Sequence, residues 1–339
     1  MAAPKIFATG TTGYIGGTAL ELILRNHPDY QVTALVRDEN KAAALRAQHP
    51  TVKTVIGTLD SLDVIEAGVS DADIVLHFAD CDHVPSATTI VNTLSKASSK
   101  KFLIHTSGSA ILADCTKPEL FGEPITKDLE YADISTRDAI TSFPIDGHPH
   151  RDVDVLVLAA PSNVNTAIVC PPCIYGTGTG SGNTKSMQVP LLINRFLKRG
   201  KGFTVQKGKS EWNNVHVCDL AKVYLALTEA AVAGGEPAQW NENGYYFAEN
   251  GRHTWEDLSK EIAQKCKDMH LLPTDEIDYL DNEEILKLHP FGHVAWGTNS
   301  IGKAERAKKL FDWTPDQKSL SETLVESIQV EAKALGLSF

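Results

Sequence analysis

Residues 5–16 read KIFATGTTGYIG, a short apolar run that leads into three glycines spaced Gly-x-x-Gly-x-x-Gly. The apolar run predicts a β-strand, and a helical pattern begins after the second glycine. Gly10 and Gly13 would shape the turn and let the backbone approach a pyrophosphate, whose charge the helix N-terminus attracts. Gly16 would let strand and helix pack closely. The stretch therefore predicts dinucleotide binding, with a tight turn that holds no ligand as the alternative.

The alternation of strand and helix patterns continues for about 170 residues. It predicts six strands, near 5–9, 32–36, 52–56, 73–78, 102–106 and 166–170, and helices near 14–26, 39–48, 61–68, 87–99 and 151–160. Such alternation is typical of an α/β fold with a Rossmann-like, doubly wound parallel sheet. Ligands of these folds bind outside the carboxyl ends of the strands, so the loops there are the candidate site.

Pattern changes along the chain suggest two domains. We expect a dinucleotide-binding domain over 1–170, interrupted at 112–149 by a long excursion over the cleft that is rich in prolines and acids. A smaller C-terminal α/β substrate domain would follow over 171–339, with helices near 186–199, 219–233, 255–268 and 300–311. The Gly-rich segment 176–182 at its start is interpreted as a flexible connection.

Composition argues for an ordinary globular protein. Apolar residues make up 42%, charged residues 22% and aromatic residues 7% of the 339 residues, which excludes long disordered or coiled-coil sequence. The net charge of −11 disfavours nucleic acid and membrane surfaces as partners. Six irregularly spaced cysteines and the lack of a signal-peptide pattern predict a reduced, cytoplasmic protein.

Cofactor preference should depend on the end of the second predicted strand. An acid there would bind the ribose hydroxyls of NAD, whereas an arginine accommodates the extra phosphate of NADP. Arg37 occupies this place and Lys41 lies one helical turn further, so the sequence favours NADP(H) over NAD(H). Asp38 keeps the NAD(H) alternative open.

Several further segments resemble the short-chain dehydrogenase/reductase superfamily in its extended or atypical branches. They are Gly57-Thr58-Leu59, His77-Phe78-Ala79-Asp80, Ile104-His105-Thr106-Ser107, residues 169–176 (VCPPCIYG) and residues 213–220 (NNVHVCDL). The resemblance implies a nicotinamide cofactor held at the following positions: Gly10, Thr12, Gly13, Tyr14, Ile15, Gly16, Arg37, Thr58, Leu59, Phe78, Ala79, Thr106, Pro171 and Ile174.

The chain departs from this family at its catalytic residues. None of the eight tyrosines has a lysine four residues later, and the expected Tyr and Lys positions fall on His150 and Asp154. A histidine is a competent general acid, and Asp154 would orient it or raise its pKa; an exposed or capping histidine is the alternative. The expected serine falls on Gly108, so we expect Ser109 to act in catalysis and Ser107 to contact substrate, or both to serve as caps.

A substrate pocket is expected beside the cofactor cleft. Alternation along a strand would send Trp212, Asn214 and His216 to one face, where an aromatic wall and hydrogen-bonding groups suit a small molecule. Tyr175 would join them, and interdomain packing is the alternative for each. The Cys170-x-x-Cys173 pair is interpreted as structural, and the sequence predicts no metal site.

These observations predict an NADP(H)-linked oxidoreductase that acts on a small carbonyl or related compound through a nonstandard proton donor. A non-catalytic, NmrA-like dinucleotide-binding redox sensor is the first alternative, because the usual Tyr and Lys are missing. A sugar-nucleotide epimerase or dehydratase is the third possibility. A small-molecule substrate and a homodimer are the expected partners.

Overall fold

The computed structural model describes residues 3–338, and a seven-stranded, fully parallel sheet forms its centre. Along the sheet the strand order is β11, β7, β5, β4, β1, β2, β3. The strands are β1 (Lys5–Thr9), β2 (Gln31–Val36), β3 (Lys53–Ile56), β4 (Ile74–His77), β5 (Lys101–Thr106), β7 (Val164–Cys170) and β11 (Tyr245–Phe247). The order reverses between β1 and β4, which is where doubly wound sheets bind their ligands. The predicted fold class is thus confirmed, with seven strands in place of six.

Helices on both faces bury the sheet. On one face α1 packs against α8, and on the other α3, α4 and α6 follow one another. The helices that flank the sheet are α1 (Tyr14–Asn26), α2 (Glu39–Gln48), α3 (Leu62–Ser70), α4 (Val84–Ser95), α6 (Arg151–Leu158) and α8 (Val217–Val232). Helix α4 begins three residues earlier than predicted, because Pro85 stands in its first turn, where the missing N–H costs nothing.

The seventh strand comes from the C-terminal half of the chain. Tyr245, Tyr246 and Phe247 pair with Ile168, Val169 and Cys170 of β7. Helix α8, also C-terminal, packs against α1 and carries Tyr224, whose hydroxyl lies 2.8 Å from Thr106 Oγ1. Residues 217–247 therefore belong to the sheet layer, although they follow the domain boundary expected at residue 170. The division into two domains at that residue stays a prediction.

The remaining C-terminal elements surround a second core. Its strands are β8 (Cys173–Tyr175), β9 (Gly202–Val205), β10 (Glu211–His216), β12 (Gly251–Thr254) and β13 (Ile277–Leu280), and its helices are α7 (Gln188–Arg199), α9 (Trp255–Asp268), α10 (Asn282–Leu288), α11 (Gly292–Gly297) and α13 (Leu320–Ala334). The apolar faces of α7, α9 and α13 meet around Phe196, Trp255 and Leu324. Pro290 lies between α10 and α11, and Gly292 is the first residue of α11; both residue types have poor helix propensity.

Short elements tie the excursion to the C-terminal part. The excursion contains β6 (Glu130–Ala132) and α5 (Arg137–Thr141), and β6 pairs with β14 (Ile301–Lys303) ahead of α12 (Glu305–Phe311). The helix predicted over 300–311 is therefore wrong in its first turn, because residues 301–303 pair as a strand. Within residues 3–338, no helix combines the length and the apolar character needed to cross a bilayer.

Candidate functional site

The three glycines of the first loop allow close backbone contacts. Gly10 has φ +72°, and a Cβ there would lie 2.6 Å from the backbone nitrogen of Ala79. A Cβ on Gly16 would lie 2.5 Å from the carbonyl oxygen of Gly10. Only glycine fits either position, because the obstructing atoms belong to the backbone.

The start of α1 is suited to an anion. Gly13 caps the helix without a side-chain hydrogen bond, and its first turn carries no acidic residue. The first-turn N–H groups therefore lack intrahelical partners, and the helix dipole adds partial positive charge. The hydroxyl of Thr11 is buried beside them with no partner in the described residues. These features fit the pyrophosphate of a dinucleotide.

The end of β2 presents a free cation. Arg37 is exposed and makes no hydrogen bond or ion pair with residues 3–338. The carboxylate of Asp38 caps α2, where Oδ1 accepts from the backbone N–H of Lys41 at 2.9 Å. Thr58 and Leu59 follow β3 at the same edge of the sheet, and Thr58 Oγ1 accepts from Asp60 N at 3.2 Å. Arg37 is thus available to a phosphate, while Asp38 already serves the helix.

His150 meets the loop after β4 at the opposite side of the cleft. Its Nδ1 lies 2.7 Å from Asp82 Oδ1 and 3.3 Å from Cys81 Sγ. Its Nε2 faces Gly108, where an added Cβ would lie only 2.9 Å away. His150 precedes α6 as its N-cap, with φ +68° in the left-handed region. Imidazole, carboxylate and the backbone of Gly108 therefore form one corner of the cleft.

Asp82 controls the charge of this corner. Burial by itself lowers the pKa of His150, but the hydrogen bonds to Asp82 and Cys81 outweigh it and raise the pKa to about 10. The same contact with His150 lowers the pKa of Asp82. Burial raises the pKa of the Cys81 thiol, although His150 opposes it. At neutral pH the corner is thus an imidazolium paired with a carboxylate beside a neutral thiol.

Asp154 does not orient His150, contrary to our expectation. Its carboxylate is fully buried, and Oδ2 accepts hydrogen bonds from Ser107 Oγ at 3.1 Å and from Tyr245 OH at 2.9 Å. Burial raises the pKa of Asp154 to about 6. One turn into α6 this side chain points toward the sheet, whereas His150 at the cap points toward the loop after β4. The partner of His150 is therefore Asp82, a residue that sequence analysis missed.

Two buried histidines lie next to Asp154. Nδ1 of His77 is 2.9 Å from Nδ1 of His105, and His105 Nε2 is 4.0 Å from Asp154 Oδ1. Burial lowers the pKa of both rings, that of His77 to about 4, so both are neutral near pH 7. One Nδ1 therefore donates and the other accepts. The sequence offered one signal for the pair, since both histidines stand near the ends of adjacent predicted strands.

The serines next to Gly108 are both occupied. Ser107 donates to Asp154, as described above, and Ser109 Oγ lies 2.7 Å from Ser300 Oγ. Ser109 is only 2% exposed and begins a 3-10 helix, Ser109–Leu112. Its backbone N–H donates to Pro171 O. The structure thus brings Gly108 to His150 and pairs Ser109 with Ser300, and a catalytic role for Ser109 stays a prediction.

The five residues expected to contact substrate are buried and hydrogen-bonded within the protein: Ser107, described above, and Tyr175, Trp212, Asn214 and His216. Trp212 Nε1 donates to Thr298 O at 2.8 Å, and Asn214 Nδ2 lies 3.0 Å from His253 Nδ1. His216 Nδ1 accepts from Cys218 N at 3.1 Å, and Tyr175 OH donates to Lys318 O at 3.0 Å. The packing alternative accounts for these contacts, and a substrate role for the five residues stays a prediction.

Cys170 and Cys173 are fully buried free thiols on either side of Pro171 and Pro172. Burial raises the pKa of Cys173 to about 12 and that of Cys170 well above its ordinary value. Thiolate chemistry is therefore suppressed, which agrees with the structural interpretation. Ile174 follows in β8 and is partly buried.

Among residues 3–338, one group of side chains could hold a metal ion. The ligand atoms of Cys81, Asp82 and His150 lie within 4.8 Å of one another. Asp82 and Cys81 both contact the same nitrogen of His150, which the carboxylate satisfies as a hydrogen-bond acceptor. The expectation of no metal stays a prediction.

The glycine-rich segment 176–182 is not a flexible connection, so that interpretation is wrong. Its alternate residues, Gly178, Gly180 and Gly182, face α1 and the loop before it. Added Cβ atoms there would lie 2.9 Å from Thr18 Oγ1, 2.5 Å from Gly17 Cα and 2.2 Å from Thr12 O, respectively. Hydrogen bonds from Asn183 N to Thr12 O and from Tyr14 OH to Gly176 O fix both ends. We call residues 176–182 the glycine strip.

Comparisons with known proteins agree with this geometry. Residues 10–140 match the NAD(P)H-binding family and residues 150–241 match the NAD dependent epimerase/dehydratase family. The chain is 35% identical to Oxidase ucsJ from Acremonium sp over 98% of its own length and 99% of that protein. A nicotinamide dinucleotide is therefore the cofactor class of this fold.

Two further similarities are more distant. The chain is 24% identical to a 4-hydroxy-2-methyl-3-oxo-4-farnesyl-3,4-dihydroquinoline-1-oxide ketoreductase from Stigmatella aurantiaca, over 68% of this chain and 66% of that protein. The dTDP-glucose 4,6-dehydratase DesIV from Streptomyces venezuelae, solved with NAD and TYD bound, superposes with a TM-score of 0.69. That match covers 98% of both chains at 14% identity, and so it shows the shared fold.

Proposed function

Because this chain belongs to the extended short-chain dehydrogenase/reductase superfamily, we propose that it is an NADP(H)-linked oxidoreductase that reduces a carbonyl group with His150 as proton donor. Oxidoreductase relatives support the reaction class. The proton donor rests on this chain's own residues, since the family's Tyr and Lys are replaced.

The contacts of His150 with Asp82 and Gly108 carry the proposal. Nδ1 binds the carboxylate at 2.7 Å, which leaves Nε2 directed at Gly108, the place of the family's serine. A ring held at one nitrogen and free at the other is the arrangement of a general acid oriented by a carboxylate. Asp82 thus acts as a positioning residue and also keeps the ring protonated.

The chemistry divides between the cofactor and these side chains. A bound nicotinamide supplies or accepts a hydride. His150 would hold a proton on Nε2 at neutral pH and release it to the oxygen of a carbonyl placed beside Gly108. Asp82 stabilises the imidazolium, so the ring is protonated and able to donate at neutral pH. The missing Tyr and Lys therefore need not abolish proton transfer.

Cofactor preference is assigned to Arg37. Its guanidinium is exposed and unpaired among residues 3–338, while Asp38 caps α2. Arginine binds phosphate through paired, charge-assisted hydrogen bonds, which supports selection of the 2′-phosphate of NADP(H).

The substrate class follows from a relative. The Stigmatella aurantiaca protein is a ketoreductase of a farnesylated dihydroquinoline oxide. By analogy, we assign to this chain a ketone carried on an apolar ring compound.

The proposal is tested by NADPH oxidation with a panel of ring ketones, for wild type and three variants. His150→Ala should lose at least about a hundredfold in turnover, the contribution of a general acid, while its NADPH affinity is unchanged. Asp82→Asn should move the loss of activity at high pH to lower pH, because it removes the group that raises the pKa of His150. Asp60→Asn, which breaks the similar Asp60–His83 pair at 3.2 Å, is the matched control.

Two results would contradict the proposal. Equal turnover in wild type and His150→Ala would remove His150 from the reaction. Tight NADP(H) binding with no turnover across the panel would favour the redox-sensor alternative, in which the glycine loop survives without chemistry.

A further inference from the structure

A cavity of about 370 Å³ lies between the excursion and the C-terminal part of the chain. Its walls include Leu112, Phe121, Leu129, Tyr131, Phe143 and His148. The volume is within the range of small-molecule sites, which are typically apolar with a few placed polar groups. No residue assigned to the cofactor or to the proton donor lines this cavity.

Aromatic rings give the cavity a flat, preformed wall. Phe143 stacks on His148 with centroids 4.3 Å apart and an interplanar angle of 8°. Tyr131 meets Phe143 edge to face at 5.2 Å. These contacts hold the rings in place, so ligand binding would not include the entropic cost of ordering these side chains. Aromatic walls favour another planar ring, through offset or edge-to-face contacts.

Apart from the hydroxyl of Tyr131 and Nε2 of His148, the polar side chains of the cavity are paired within the described residues. Lys117 Nζ pairs with Asp114 Oδ2 at 2.6 Å, so the two charges cancel. The Asn299 side chain accepts from Glu211 N and donates to Glu123 O. His148 Nδ1 lies 2.8 Å from Ile111 O and must carry the proton, because a carbonyl only accepts. In this tautomer Nε2 is the acceptor of the ring, and it has no partner in the described residues.

One turn of 3-10 helix links the cavity to the catalytic corner. Ser109–Leu112 begins after Gly108, which faces His150, and ends at Leu112 in the cavity wall. At about 2 Å per residue, the four steps from Gly108 to Leu112 span roughly 8 Å. His148 and His150 flank Pro149, and their rings point to the cavity and to the corner, respectively.

We propose that this cavity binds an uncharged, planar, apolar ring compound that donates one hydrogen bond to His148. Cavity volume, fixed aromatic walls, the paired charges of Lys117 and Asp114 and the open acceptor on His148 together define the ligand class. The site stands independently of the proposed reduction. Its occupant is the ring portion of the substrate or a separate ring molecule bound beside the corner.

The test uses NADPH-saturated protein, with indole as probe and 1-methylindole, which lacks the N–H donor, as its matched partner. Calorimetric titration should give a Kd of about 0.1–1 mM for indole, typical of a ligand of this size. 1-Methylindole should bind about fivefold more weakly for want of the hydrogen bond. Leu129→Trp, which fills the cavity, should abolish indole binding.

Leu286→Trp, an exposed leucine on α10, is the control for adding an indole ring elsewhere. His150→Ala should bind indole as wild type does, which separates this site from the proposed reaction. No binding below several millimolar, or equal binding to Leu129→Trp and wild type, would overturn the proposal. Competitive inhibition by indole would identify the occupant as part of the substrate, and noncompetitive inhibition would identify a separate ligand.

Discussion

Gly108 and His150 should be energetically coupled, because the ring occupies the space of a side chain at 108. A Cβ on Gly108 would lie 2.9 Å from Nε2 and 3.1 Å from Cδ2 of His150. Carbon atoms normally approach no closer than about 3.5 Å, so the ring must retreat by roughly 0.5 Å. Asp82 holds that ring at 2.7 Å, and any retreat strains this contact.

Gly108→Ala should therefore destabilise wild type by about 1–2 kcal/mol, the lower part of the range for overpacking. The backbone of Gly108, with φ −157° and ψ 150°, is open to any residue, so no conformational penalty adds to this. In a His150→Gly background the new methyl group meets no ring. There the same change should stabilise by about 0.4–1 kcal/mol through the unfolded chain.

The assay is a double-mutant cycle by urea unfolding, followed by tryptophan fluorescence. Wild type, both single variants and the double variant should give a coupling free energy of about 2 kcal/mol. Glycine is the right replacement at 150, because φ there is +68°. An equal cost of Gly108→Ala in both backgrounds would refute the coupling between Gly108 and His150. It would also refute the placement of Nε2 beside Gly108, where the family's serine is expected.

Three further predictions concern the cofactor, the pH dependence of stability and the glycine strip. Arg37→Ala should weaken NADPH binding about 10- to 100-fold and leave NADH binding unchanged in fluorescence titrations; an equal loss for both would contradict phosphate recognition. The free energy of unfolding should fall as pH rises from 6.5, the ordinary pKa of histidine, to about 10, because folded His150 keeps a proton that the unfolded chain has released. His150→Gln should flatten that part of the urea-derived profile, and an unchanged slope would exclude His150 as its source. Gly180→Ala should cost about 1–3 kcal/mol, because its Cβ would lie 2.5 Å from Gly17 Cα. Thr179→Ala, an exposed neighbour, should cost little, and an equal loss for both would argue against tight packing of the strip.

The sheet and its first loop could be predicted because their signals are local. An apolar run, three spaced glycines and a helical period each fix one element within a dozen residues. Strand β11 escaped prediction because three residues, Tyr245–Phe247, are too few to show a period of two. It pairs with β7 across 77 residues of chain, from Tyr245 to Ile168, and no local pattern reports such a contact.

The candidate site was predictable in part for the same reason. His150 could be found by counting back from the sixth predicted strand, but Asp82 could not. Asp82 lies in a loop, where no helical or strand periodicity indicates which way a side chain points. Asp154 was assigned to His150 by helical spacing, which holds only inside a helix. His150 is the cap of α6 in a left-handed conformation, so the spacing rule does not apply to it. The glycine strip was misread because its alternation resembles a linker when the partner surface is unknown.

The return of residues 245–247 to the sheet has a consequence for dissecting the protein. A fragment that stops at residue 170 would lack the strand that covers β7, whose residues are almost all buried. The unpaired N–H and C=O groups of that edge would be a template for other chains, and such edges promote aggregation. We expect a truncated amino-terminal half to be poorly soluble. A fragment extended through residue 247 should be more soluble, because it contains the strand that pairs with the exposed edge of β7.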